Sequence, residues 1–122
     1  MKTILKYSTA VILMGFLANF IFGGGANEKA DLPALIKDGA RVIDVRTPAE
    51  FAGGHITGAL NIPLNIISRE INRVEPDQTK PIIVYCHSGM RSASAKKDLE
   101  RMGYTVVING GSFHHMKKQL NP

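Results

Sequence analysis

At 122 residues, with 15 Lys and Arg against 10 Asp and Glu, the chain has room for one domain and carries a formal charge of +5. That bias is weak, and the basic residues are spread along the chain without interleaved aromatics, which argues against a nucleic-acid partner. The one cysteine, Cys86, excludes an intramolecular disulfide and leaves a thiol that is either a small packed hydrophobe or reactive.

The chain begins with Lys2 and Lys6, followed by an uncharged apolar run (YSTAVILMGFLANFIF) that ends in Gly23-Gly24-Gly25-Ala26. A basic start, an apolar stretch and a small-residue exit form an export signal, with cleavage expected after Ala26. Uncleaved, residues 8–26 come close to the ~20 residues that span a bilayer and would serve as an anchor. Either way the lysines stay on the cytoplasmic side, and the remainder is expected to be exported, periplasmic or membrane-attached. Residues 27–122 then form the domain, with 13 basic and 10 acidic residues and a formal charge of +3. A mild positive field suits small anionic substrates.

From there, strand-like and helix-like stretches alternate. DLPALIK reads as a short helix, capped by Asp31 and stopped by Gly39. Arg41-Val42-Ile43-Asp44-Val45-Arg46 is a strand. Thr47-Pro48-Ala49-Glu50 has the cap, first-turn proline and capping-box glutamate of a helix start. Ala59 to Pro63 is a short extended piece, and LNIISREINRV places Leu64, Ile67, Ile71 and Val74 on one helical face. Ile82-Ile83-Val84-Tyr85 reads as a strand buried on both faces. SASAKKDLERM is helical and Gly103 stops it, Thr105 to Ile108 is another buried strand, and Asn109-Gly110-Gly111 turns the chain into a last helix near Ser112 to Gln119. Strands separated by helices predict an α/β domain, a mostly parallel sheet with helices on both faces.

Cys86-His87-Ser88-Gly89-Met90-Arg91-Ser92 lies between a buried strand and a helix, where open α/β sheets bind their ligands. Gly89 permits the positive φ that a tight curl requires. Such a curl aims backbone N–H groups at one point, where the helix dipole adds to them and makes an anion site. Cys86 at its rim would hold a stabilised thiolate. Arg91 offers a permanent charge with a fork for oxyanions, and Ser92 suits the helix N-cap.

These residues resemble the rhodanese superfamily. Cys86, Gly89, Arg91 and Ser92 match the C-x-x-G-x-R-S loop of the single-domain thiosulfate sulfurtransferase type. The block from Val42 to Phe51, then Gly54-His55-Ile56 and Gly58-Ala59-Leu60-Asn61-Ile62-Pro63, is similar to the family's first signature, and Asn109-Gly110-Gly111 to its C-terminal block. His87 occupies a variable position, and His115 or Met116 stands where an aromatic is common. The resemblance implies that Cys86 takes sulfur from thiosulfate or a similar small anionic donor as a persulfide and yields it to cyanide, a thiol or a protein acceptor, without a cofactor. The loop N–H groups from His87 to Ser92 would stabilise the persulfide, with Ser88, Gly89 and Met90 lining the site, and Arg91 would hold the donor's oxygens.

Asp44 and Arg46, at the end of the neighbouring strand, are expected to orient the loop, by an ion pair with loop groups or by touching substrate. His55 is expected to hydrogen-bond within the fold. Adjacent His114 and His115 do not share a helical face and make no metal site. Phosphatases and arsenate reductases share the scaffold. Four residues separate Cys86 from Arg91, whereas the phosphatases place five, which leaves less room here for a phosphoryl group. A non-enzymatic persulfide carrier or sensor module is the remaining alternative.

Overall fold

The computed structural model describes residues 30–121. The export signal or anchor expected over residues 1–26 lies outside them. Among the described residues, no helix is long and apolar enough to cross a membrane.

Four strands form one parallel sheet: β1 (Arg41–Asp44), β2 (Leu60–Asn61), β3 (Ile82–Cys86) and β4 (Val107–Ser112), in the order β2-β1-β3-β4. The helices are α1 (Leu32–Lys37), α2 (Pro48–Ala52), α3 (Ile67–Val74), α4 (Met90–Met102) and α5 (Phe113–Leu120), with a 3-10 turn over Leu64–Ile66 before α3. Every strand pair is parallel, so each connection crosses over a face of the sheet, and helices cover both faces as expected.

Period-two alternation divides the core. Ile43, Val45, Ile82, Val84 and Cys86 point to one face, where they pack with Ile67 and Ile71 of α3 and Ala95 and Leu99 of α4. Val42, Ile83 and Tyr85 point to the other, against Leu32 of α1 and Met116 of α5. Cys86 therefore faces α4, and Tyr85 faces away from it.

The local signals held where capping chemistry was explicit. The Asp31 side chain accepts the Ala34 N–H, and Thr47 and Glu50 complete their capping box. Gly103 ends α4 with φ 111°. Leu64 to Val74 is not one helix: Ile66 breaks it with φ −122°, so the first turn is 3-10. Ile67 and Ile71 are buried as the helical face requires, with Leu64 and Val74 packed at the margin.

The strand expected over Thr105 to Ile108 starts two residues later and runs through the glycines to Ser112. The reason is a β-bulge. Val84 pairs with Asn109 but Tyr85 pairs with Gly111, so Gly110 is the extra residue. A Cβ on Gly110 would lie 2.5 Å from Met116 Sδ and 3.1 Å from Ile83 Cγ2, so only glycine fits without displacing the core. The supposed turn is a strand continued by its pairing with Tyr85 and Cys86.

Candidate active site

Strand β3 delivers Cys86 to the carboxyl end of the sheet, next to the start of α4. The curl between them is short. Gly89, with φ 97°, is the N-cap of α4, and Met90 is already helical. Ser92 is therefore not the cap that the sequence pattern indicated. It lies inside the first turn, where its hydroxyl faces inward, buried beside the sulfur. A left-handed glycine makes the turn in fewer residues than a serine cap would need.

The thiol of Cys86 is buried on the floor of this curl. Gly89 N–H donates to its Sγ at 2.9 Å, and the Ser92 hydroxyl lies 3.5 Å from it. Burial by itself pushes the thiol up. The Ser92 hydroxyl and the N–H groups of Ser92, Gly89 and Ser88 act against it and prevail, so the thiol is held below its ordinary value. Convergent donors thus stabilise negative charge on the sulfur despite its burial. His87, Ser88 and Met90 are exposed around it, Met90 at 78%.

Arg91 is close to the site but its fork is engaged. Its Nη1 and Nη2 reach the two Glu50 carboxylate oxygens at 2.7 and 3.0 Å. Glu50 also accepts from Thr47 N–H and the Thr47 hydroxyl. Arg91 first, and then the Thr47 N–H, hold the Glu50 carboxyl at about 2 against an ordinary 4.5. The capping box of α2 is therefore also the bracket that positions Arg91.

No hydrogen bond joins the Asp44 or Arg46 side chain to the loop, and only the Asp44 charge is felt there, at Arg91. Their pair is internal: Arg46 Nη2 lies 2.7 Å from Asp44 Oδ2, Nε donates to the same carboxylate, and Nη2 also reaches the Gly54 carbonyl at 2.7 Å. The Arg46 guanidinium lies 4.6 Å over the Phe113 ring and near Tyr85. Asp44 shares the strand parity of Val42, which sends it to the face opposite Cys86. The expected role of these two residues in orienting the loop is corrected accordingly: they anchor the α2 and α5 side of the sheet. His55 bonds within the fold as expected, with Nδ1 2.9 Å from the Phe51 carbonyl and its ring stacked on Phe51. His114 and His115 are exposed on α5.

Two residues of the site were not read as such from the sequence. Glu50 showed only its local capping signal, and its partner lies 41 residues away. Asn109 looked like a turn residue. Its Oδ1 accepts from the Ser92 hydroxyl at 2.7 Å and from Gly111 N–H at 2.9 Å, and its Nδ2 reaches the Gly89 carbonyl at 3.3 Å. Only the proximity of β4 to the loop, where a Cβ on Gly89 would lie 3.5 Å from Gly111 Cα, brings it there.

The model of the rhodanese-like domain family matches residues 28–119. The chain belongs to the rhodanese family. It is 44% identical over 69 residues to the thiosulfate sulfurtransferase PspE of Escherichia coli strain K12, a match covering 57% of this chain and 66% of that one. It is 40% identical over 89 residues to the chloroplastic thiosulfate sulfurtransferase 16 of Arabidopsis thaliana, covering 63% and 74%. Among solved structures, a rhodanese with anions from E. coli superposes with TM-score 0.61 at 39% identity, covering 62% of this chain and 89% of that one. The chain spans only 54–66% of the length of several curated relatives that it matches.

Proposed function

We propose that this rhodanese domain is a sulfurtransferase that moves sulfane sulfur from thiosulfate or a similar small anionic donor to cyanide or a thiol. The observation that carries this reading is the Gly89 N–H at 2.9 Å from Cys86 Sγ, in a loop whose donors hold the thiol below its ordinary value. Thiosulfate sulfurtransferases among the relatives and a related rhodanese solved with anions support it.

In the first step the Cys86 thiolate attacks the outer sulfur of thiosulfate. The S–S bond of the donor breaks, sulfite leaves with the electron pair, and Cys86 becomes a persulfide anion. In the second step cyanide attacks the outer persulfide sulfur, leaves as thiocyanate, and restores the thiolate. The N–H groups of Ser88, Gly89 and Ser92 hold the negative charge in both steps. Arg91 faces the donor's oxygens with the N–H groups that Glu50 leaves free.

Steady-state thiocyanate formation from thiosulfate and cyanide tests the reading. Wild type turns over and Cys86→Ser, folded but unable to form a persulfide, does not. Substantial turnover by Cys86→Ser rules the covalent route out.

Residues 1–26 are proposed to place the domain outside the cytoplasm, free or attached to the membrane. Recovery of the full-length chain as a soluble cytoplasmic protein contradicts that placement.

A further inference from the structure

The Ser92 hydroxyl has one proton and three acceptors within reach: Asn109 Oδ1 at 2.7 Å, the Gly89 carbonyl at 3.0 Å and Cys86 Sγ at 3.5 Å. The Asn109 amide cannot be turned over without loss. Gly111 N–H is an unambiguous donor 2.9 Å from Oδ1, and the Gly89 carbonyl is an unambiguous acceptor 3.3 Å from Nδ2. With the amide so oriented, Asn109 Oδ1 is an acceptor facing Ser92. It competes with the sulfur for the one hydroxyl proton.

We propose that Asn109 is a positioning residue for Cys86, giving the Ser92 hydroxyl its nearest acceptor other than the sulfur, ahead of the Gly89 carbonyl, and so biasing when its hydrogen bond goes to the sulfur. This rests on the reading of Cys86 as the nucleophile. In the neutral state the hydroxyl donates to Asn109, and the thiol faces the oxygen's lone pairs. When Cys86 ionises, or carries a persulfide anion, the hydroxyl turns to the sulfur. Asn109 Oδ1 is not orphaned by that turn, because Gly111 N–H still donates to it. Both orientations therefore leave every buried group partnered, which is what a two-position donor requires. The β4 bulge at Gly110 makes this possible by placing Asn109 and the Gly111 N–H together at the loop.

The surrounding charges are the same in either orientation. Arg91 on α4 is coupled to Cys86 and paired with Glu50 of α2, the Asp44–Arg46 pair belongs to the opposite face, and His87 is exposed on the loop. On the β4 side, His115 of α5 packs against Gly111.

The pH dependence of Cys86 alkylation by iodoacetamide, followed by mass, reads the thiolate directly and needs no sulfur donor, so it stands apart from the turnover test. Asn109→Ala removes the nearer of the two oxygens that compete with the sulfur, the Gly89 carbonyl at 3.0 Å remaining, and should lower the apparent pKa of Cys86 by up to about 0.5 unit, the effect of one neutral hydrogen bond partly redirected. Asn109→Asp keeps the Gly111 contact, strengthens the competing acceptor and adds a charge, and should raise it by about 1 unit. In a Ser92→Ala background the Asn109→Ala shift should vanish and the Asn109→Asp shift should shrink. An upward or absent shift in Asn109→Ala overturns the proposal, as does a shift that survives unchanged without Ser92. If Asn109→Ala does not fold, equal Asn109→Asp shifts with and without Ser92 overturn it alone.

Discussion

Gly110 is the point where packing and site geometry meet. Its φ is unremarkable, so the objection to a side chain there is steric alone. In Gly110→Ala the new methyl would lie 2.5 Å from Met116 Sδ, 3.1 Å from Ile83 Cγ2 and 3.4 Å from the Val84 carbonyl. Met116 and Ile83 are fully buried, so neither has solvent to move into. Overpacking of this kind costs about 1–3 kcal/mol, and each kcal/mol lowers the melting temperature of a domain this size by about 4–8 °C. Met116→Ala alone leaves a cavity and costs about 2–5 kcal/mol. The new methyl would partly fill that cavity, so Gly110→Ala with Met116→Ala should be less destabilised than the sum by about 1 kcal/mol or more. Urea denaturation of the four proteins measures the coupling. Additive effects, or a Gly110→Ala as stable as wild type, would refute the steric account of the bulge.

Asp44→Asn should cost about 3 kcal/mol by stripping a buried guanidinium of its charge partner, while the alkylation profile of Cys86 stays unchanged because the pair faces away from it. A normal stability with an altered profile would return the pair to the loop. The Glu50 carboxyl, at about 2 in the folded state against 4.5, contributes stability that is complete above pH ~4.5 and is lost as pH falls through about 2. Because the pair is 33% and 37% exposed, its share is about 0.5–1 kcal/mol. Glu50→Gln should therefore be less stable than wild type at pH 7 and converge on it only below pH ~2, by urea titration at each pH. Arg91→Lys loses the fork to Glu50 and to the donor. It should raise the KM for thiosulfate about tenfold while a preloaded persulfide still reacts with cyanide at a near-normal rate, whereas equal loss in both half-reactions would give Arg91 a purely structural role.

The parts legible in the sequence are those written in local chemistry. The Asp31 and Thr47 caps, the apolar run of β3 and the stop at Gly103 each act within a few residues, and all three kinds of signal were honoured. The loop from Cys86 to Ser92 was legible for the same reason, since a strand end, a glycine and a helix start are adjacent. What sequence reading missed depends mostly on distant partners. Ser92 lost the cap to Gly89, whose φ of 97° lets α4 begin at Met90. Asn109-Gly110-Gly111 has turn composition, yet β3 pairing makes it strand. Asp44 and Arg46 have the charge to orient a loop, but strand parity sends them to the other face. Glu50 and Asn109 reach the site only through tertiary contacts across 41 and 17 residues.

The central claim is that sulfur passes through Cys86 as a covalent persulfide. Intact and peptide mass after incubation with thiosulfate tests it most directly. Wild type should gain about 32 Da, one sulfur atom, on the peptide containing Cys86, and lose it on adding cyanide. No gain in wild type from thiosulfate or another sulfane donor, or an equal gain in Cys86→Ser, would contradict it.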